Sequence, residues 1–166
     1  MSKPHFSKWI FVIAIVLIGS FVFINIQGPS YDTINAEIDA QSIVLGMTPD
    51  AVFETLGERP EQEMCVYGYE YTFTSTGLNI GFRTDGDTVR RITIRNTHDT
   101  ILGCKVGESV DGVLNKVSPF GFEPDPTTMN RYKYDDLYFT AVSKEGQFID
   151  QVILEIIDDK LIEYAY

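Results

Sequence analysis

The chain has 166 residues, 44% of them hydrophobic, with 13 basic against 24 acidic side chains and a net charge of −11. That length allows one ordinary domain or two small ones, and the acidity opposes binding to nucleic acid or to anionic lipid headgroups. The two cysteines, Cys65 and Cys104, and the two histidines, His5 and His98, form neither a CxxC pair nor a zinc quartet.

The first element in chain order is apolar. WIFVIAIVLIGSFVFINI, from Trp9 to Ile26, is 18 residues without a charge. As a helix it reaches ~27 Å, close to the ~30 Å hydrocarbon core of a bilayer, and it predicts a transmembrane anchor. Lys3 and Lys8 precede it and no basic residue closely follows. The positive-inside rule then puts residues 1–8 in the cytoplasm and residues 30–166 outside, as a single-pass signal-anchored protein of the cell membrane. A cleaved signal peptide, with Gly28 and Ser30 as the small residues, fits less well: the run exceeds the ~7–15 residues of a signal core and Pro29 interrupts the site. No cysteine follows the span to carry a lipoprotein anchor. Outside the membrane, 13 basic residues less Lys3 and Lys8 leave 11 against 24 acids, or −13. An oxidising exterior leaves a Cys65–Cys104 disulfide and two free thiols both open. Spacing does not show whether their Cα atoms come within ~7 Å.

Residues 27–32, QGPSYD, predict a short polar stalk. From Thr33, TINAEIDAQSI places Ile34, Ile38 and Ile43 on a helical stripe with Thr33 as N-cap. In the next segment, IVLGMTPDAVFETLGERP, each residue has a helix-punctuating role. Thr48 caps, Pro49 takes the first position, Asp50 faces the positive end, and Val52, Phe53 and Leu56 form the apolar stripe. Gly57 then ends the helix in a left-handed conformation and Pro60 blocks its resumption. The glycines Gly46 and Gly57 fit no Walker or dinucleotide pattern. The period then changes to two. CVYGYEYTF puts Cys65, Tyr67, Tyr69, Tyr71 and Phe73 on one strand face. LNIGFR and VRRITIRN follow as two further strands around the turn signals STG and TDGD.

The second half repeats this order. Gly46, Asp50, Val52 and Leu56 correspond to Gly107, Asp111, Val113 and Val117 at a shift of 61, with Ser109 in the place of Thr48. Tyr71 and Phe73 correspond to Tyr132 and Tyr134 at the same shift, and Ile92 and Ile94 to Val152 and Leu154 at 60. The expected organisation is therefore an α+β protein: an anchor at 9–26, a stalk at 27–32, and two tandem helix–helix–three-stranded antiparallel sheet repeats, 33–98 and 99–166, with helices on one sheet face. IIDDKLIEYAY adds a candidate last strand through a turn at Asp158–Lys160.

The order SIVLGMTPDAVFETLGERP, YGYEYTF, LNIGFRTDGDTVRRITI resembles the SmpA/OmlA family of small outer-membrane lipoproteins, which carry a similar VGMT…LG.P run and a following three-stranded sheet. The tandem arrangement is similar to the β-lactamase-inhibitor-protein type of fold. The resemblance is good over residues 31–96 and weak over 99–166, where Val-Gly-Glu-Ser replaces Leu-Gly-Met-Thr. It implies a non-enzymatic extracytoplasmic module that touches other proteins. The lipobox cysteine of those lipoproteins is missing, so their role in outer-membrane assembly does not carry over.

No residue set points to catalysis. His98, in NTHDT, stands without a nucleophile elbow or a zinc-ligand partner. Asp135–Asp136, Asp158–Asp159 and Asp85-Gly86-Asp87 are acids at turns without EF-hand spacing. Two features carry functional weight. Tyr67, Tyr69 and Tyr71 belong either under the helices or in a contact surface. Arg83, Arg91 and Arg95 lie opposite the apolar face of their strands and either neutralise Glu70 and neighbouring acids or form a binding face. The expected function is a non-catalytic protein-interaction or inhibitor-like module of the cell envelope, with no cofactor or metal, whose partner is an envelope or secreted protein. The alternative is an extracytoplasmic sensory domain with a small ligand between the repeats.

Overall fold

The computed structural model describes residues 29–65, 68–84 and 87–157. The apolar run 9–26, the Asp85–Gly86 turn and the segment from Asp158 onward lie outside the described residues.

The chain enters through helix α1 (Tyr31–Ala36), whose cap is Ser30, its Oγ accepting from Thr33 N at 3.3 Å. The expected longer helix from Thr33 does not form, because Ile38 leaves the helix for a two-residue strand β1 (Ile38–Asp39). Helix α2 (Pro49–Leu56) has the predicted punctuation. Thr48 Oγ1 accepts from Ala51 N at 3.4 Å, and Gly57 closes the helix at φ 73°.

Next come β2 (Gln62–Cys65), β3 (Gly68–Phe73), β4 (Leu78–Arg83) and β5 (Val89–Ile94). The expected long aromatic strand is thus split: Cys65 pairs with Gly68 across a hairpin, so Cys65 and Tyr69 belong to different strands. Gly68 has a packing reason, since a Cβ there would lie 2.0 Å from the Phe82 carbonyl oxygen. A short β6 (Thr100–Ile101) pairs with β1. Helix α3 (Val113–Val117) lies between 3-10 turns at Val110–Gly112 and Ser118–Phe120. The last strands are β7 (Glu123–Pro124), β8 (Arg131–Tyr134), β9 (Leu137–Val142) and β10 (Gln151–Ile156).

These strands correct the expected fold class. Eight of them form one antiparallel sheet in the order β2-β3-β4-β5-β10-β9-β8-β7. The protein is not a pair of helix–helix–three-stranded units. Each half supplies four strands, a strand stands where the second half was expected to open with a helix, and the described helices span only 6, 8 and 5 residues. The physical reason is that β5 and β10 both carry apolar alternation with open edges. Their pairing, Ile94 with Val152 through to Arg91 with Glu155, satisfies both sets of backbone groups at once.

The transmembrane helix, the signal anchor and the single-pass membrane location are corrected as well. Among the described residues no helix is long and apolar enough to cross a membrane. The run that suggested one, Trp9 to Ile26, lies outside them.

The core lies on one face of the sheet. Ile80, Ile92, Leu154 and Phe139 form one continuous cross-strand row, each 0% exposed. α1, α2, α3 and the β1–β6 ribbon cover that face through Ile34, Val52, Val113, Val117 and Ile101. Matching loop clamps hold the two halves' helical segments onto it. Gly46 N donates to Val89 O at 2.9 Å and Val89 N to Met47 O at 2.8 Å. Gly107 N donates to Ile149 O and Ile149 N to Glu108 O, both at 2.8 Å. Both clamp glycines sit at φ 90°, with nothing within 4 Å of where a Cβ would stand. A polar knot closes the linker: the Asn96 side chain donates to Thr76 O at 2.7 Å and to Asp99 Oδ2 at 2.8 Å and accepts from the amides of His98 and Asp99. His98 is a turn residue of that knot.

Because space is free at both clamps, the cost of a side chain there is conformational alone. Gly46→Ala and Gly107→Ala should each lower stability by about 1–2 kcal/mol, read as a reduced urea midpoint at unchanged m-value. A neutral result at either position would show that the clamp relaxes out of the left-handed region.

Candidate functional site on the open sheet face

Opposite the core, the register aligns a transverse row of residues across all eight strands. Glu63, Glu70, Gly81, Arg91, Glu155, Tyr138, Lys133 and Glu123 are successive Cα partners from β2 to β7. A parallel row runs Thr72, Asn79, Thr93, Ile153, Thr140 and Arg131. The described helices and the small ribbon pack on the other face.

Oppositely charged side chains on this open face pair with one another. Arg91 pairs with Glu70. Its side chain lies over Gly81, where a Cβ would stand 3.1 Å from Arg91 Cβ and 3.3 Å from Nε, so the missing side chain makes room for the guanidinium. Beyond the β5–β10 seam, Arg131 Nη2 is 3.5 Å from Glu155 Oε1 and Nε is 3.7 Å from Asp125 Oδ2. The Arg131 guanidinium also lies 4.1 Å from the Tyr138 ring centroid, with Lys133 Nζ at 5.1 Å from the same ring. Asp125, Arg131, Glu155, Arg91 and Glu70 thus form a charge ladder across the seam. Its side chains are only 10–32% exposed. The Nε groups of Arg91 and Arg131 are buried and have no hydrogen-bond acceptor.

Burial pushes the Glu155 carboxyl above the ordinary carboxylate range, and Arg131 and Arg91 offset this only in part. Asp125 is held below its ordinary value by hydrogen bonds from the Thr127 hydroxyl and amide, with Arg131 and Lys133 adding to the effect.

The sequence-expected residues divide between two faces. Arg91 is in the ladder. Arg83 sits at the end of β4 opposite Gly68, half-buried, and Arg95 extends β5 with its side chain exposed. Arg90, in the bulge between the Gly81–Arg91 and Phe82–Val89 pairs, is the extra residue that the pattern did not reveal. Tyr69 and Tyr71 face the helices. Tyr69 stacks on Phe82 at 5.3 Å and Tyr71 meets Phe53 of α2 edge-on at 4.9 Å. Burial, and then the hydrogen bond to Asp87, push the Tyr69 phenol upward. Tyr67 lies outside the described residues. The arginines and tyrosines therefore do not form one surface. Sequence reasoning missed Glu155, Arg131, Lys133 and Tyr138. Their alternate positions in β8–β10 were the available signal, and their convergence depends on the seam register.

Cys65 and Cys104 are not bridged. Cys104 is 0% exposed behind β6, while Cys65 ends the edge strand β2. Burial raises the Cys104 thiol to about 11. Among the described residues no group of three His, Cys, Asp or Glu side chains stands close enough to hold a metal. The halves meet by strand pairing of β5 with β10. A depression lined by Gly121, Glu123, Pro124, Lys133 and Tyr134 lies wholly in the second half.

No family model matches the chain, and no curated protein matches it. Among solved structures it is similar to an extracellular protein containing a SCP domain from Bacillus anthracis str. Ames. The TM-score is 0.54 at 15% identity, over 82% of this chain and 49% of that one. The chain thus spans about half the length of the structure it matches, and the likeness concerns the fold.

Two measurements probe this chemistry. Glu155 binds its proton more tightly when folded, so its contribution is full below the unfolded pKa and is lost as pH rises through the raised folded value. Asp125 is the reverse, stabilising above its unfolded value and losing that as pH falls through the folded one. Melting curves near pH 7 should show Glu155→Gln at least as stable as wild type and Asp125→Asn less stable, the first difference closing as pH falls below the ordinary glutamate value and the second only as it falls through the lowered folded value of Asp125. Thiol titration of the native protein should modify Cys65 alone, with Cys104 reacting on unfolding.

Proposed function

We infer that the protein is a non-catalytic protein-interaction module that docks its partner on the open face of the eight-stranded sheet. The observation that carries this is the charge ladder. Five charged groups are partly dehydrated on a face that the described helices leave uncovered, and two of its arginines have buried N–H groups without acceptors. Such groups cost free energy until an acceptor arrives, and arginine and tyrosine are favoured in interfaces. Ile153, between Thr93 and Thr140, supplies an apolar centre for that face.

The ladder also describes the partner's chemistry. The face carries Arg83, Arg91, Arg95, Arg131 and Lys133 against Glu63, Glu70, Glu123, Asp125 and Glu155, both signs in equal number within an acidic chain. Carboxylates on the partner fit the arginines, while Glu70 and Glu155 ask for donors. A surface of mixed sign satisfies both, as a protein does and a uniform polyanion does not. The resemblance of the LGMTPDAVFETLG segment to a family of non-enzymatic envelope modules agrees with this reading.

A photo-crosslinking residue at Ile153 should give one discrete protein adduct in cells. Arg91→Glu with Arg95→Glu should remove the adduct while a control pair on the helix face, Glu54→Lys with Thr55→Lys, leaves it. An adduct indifferent to the arginine reversals, or none from Ile153, would overturn the open-face reading.

A further inference from the structure

The two ends of the sheet are finished differently. At one end β7 has two residues and contains Pro124, with Pro126 close behind, so it offers almost no backbone for pairing. At the other end β2, Gln62–Cys65, has no proline, and its sheet neighbour among the described residues is β3 alone. An antiparallel strand turns every second residue's N–H and C=O away from its neighbour, so among the described residues the outer edge of β2 presents unpaired backbone groups.

The side chains of β2 divide by face. Glu63 is level with Glu70 in the open-face row, and Glu61, two residues earlier, falls on the same side; both are exposed. Gln62 and Met64 are level with Tyr71 and Tyr69 and fall on the helix face. Met64 is 72% exposed. Beside it, Tyr69, Tyr71 and Phe53 are only half-covered, so the aromatic cluster runs out to the edge as an apolar step. The edge is thus acidic on one side and apolar on the other.

We propose that the β2 edge takes up, as an added strand, an extended polypeptide segment whose residues alternate basic and apolar. Its basic side chains lie along Glu61 and Glu63, and its apolar side chains cover Met64 and the rim of Tyr69. The same charges oppose the described sheet edges of a second copy as occupant. Two β2 edges brought together would oppose Glu61 and Glu63 to their own copies, and a β2–β7 contact would oppose them to Glu123 and Asp125. The surface is separate from the open-face ladder, and the proposal does not rest on it.

The test uses the full chain, labelled with nitrogen-15, and the peptide Lys-Val-Lys-Val-Lys-Val-Lys with blocked ends. Saturable amide shifts centred on Gln62, Glu63, Met64 and Cys65 are expected. Glu61→Lys with Glu63→Lys, both exposed and so compatible with folding, should weaken binding about tenfold, and the peptide Glu-Val-Glu-Val-Glu-Val-Glu should restore it on that variant. A block peptide of the same composition, Lys-Lys-Lys-Lys-Val-Val-Val, should bind more weakly because it cannot divide its side chains between the two faces. Equal binding of the block peptide, shifts centred on Arg91 and Glu155, or no saturable shift at Gln62–Cys65 would each overturn the proposal. Loss of the Ile153 crosslink in the Arg91→Glu, Arg95→Glu variant with the peptide still bound would separate the two surfaces.

Discussion

The pairing of β5 with β10 is the constraint on which the rest of this structure depends. Four consecutive residue pairs, Ile94–Val152 to Arg91–Glu155, join two four-stranded meanders edge to edge. Each meander alone would expose a long central edge and a core too thin to shield its own backbone. Joined, they bury Ile92, Ile94, Val152 and Leu154 at the middle of one apolar surface, and the helices from both halves share it. The β1–β6 ribbon and the paired glycine clamps fix those coverings in place. The seam thus sets the core on one face and the order of charges on the other.

On the open face, the balance of forces differs from that of an ordinary surface ion pair. Exposed pairs gain little, because water competes for both partners. The ladder residues are shielded by their neighbours, so each charge depends more on the next one along the row. Gly81 leaves the room in which Arg91 lies flat toward Glu70, and Tyr138 gives Arg131 and Lys133 a ring to rest on. Burial still outweighs these partners at Glu155, whose carboxyl is pushed upward. Such an arrangement is held close to its limit of solvation, with the Nε groups of Arg91 and Arg131 buried without hydrogen-bond acceptors.

Much of the local structure was legible in the chain. Thr48, Pro49 and Gly57 marked the limits of α2, and alternation in LNIGFR and VRRITI marked strands, because capping and two-residue periodicity act between near neighbours. The aromatic stretch was misjudged for a local reason too: Gly68 lets the chain pass close to the Phe82 carbonyl, and alternation alone does not reveal that Cys65 and Gly68 belong to two paired strands. The helix expected from Thr33 failed because β1 gains a partner in β6, more than sixty residues away in sequence.

The sequence by itself determined the two faces of β3, β4 and β5 and where α2 starts and stops, since these follow from nearest-neighbour sterics and hydrogen bonding. It also placed Arg91 opposite the apolar face. Only the tertiary structure decided that the two halves form one sheet, that Arg91 and Arg131 both flank Glu155 at the seam, and that Tyr69 and Tyr71 lie on the other side from Arg91. Those outcomes depend on strand order and register between segments about sixty residues apart. Such long-range pairings are fixed by the burial and backbone bonding of the assembled sheet, and no local pattern encodes them.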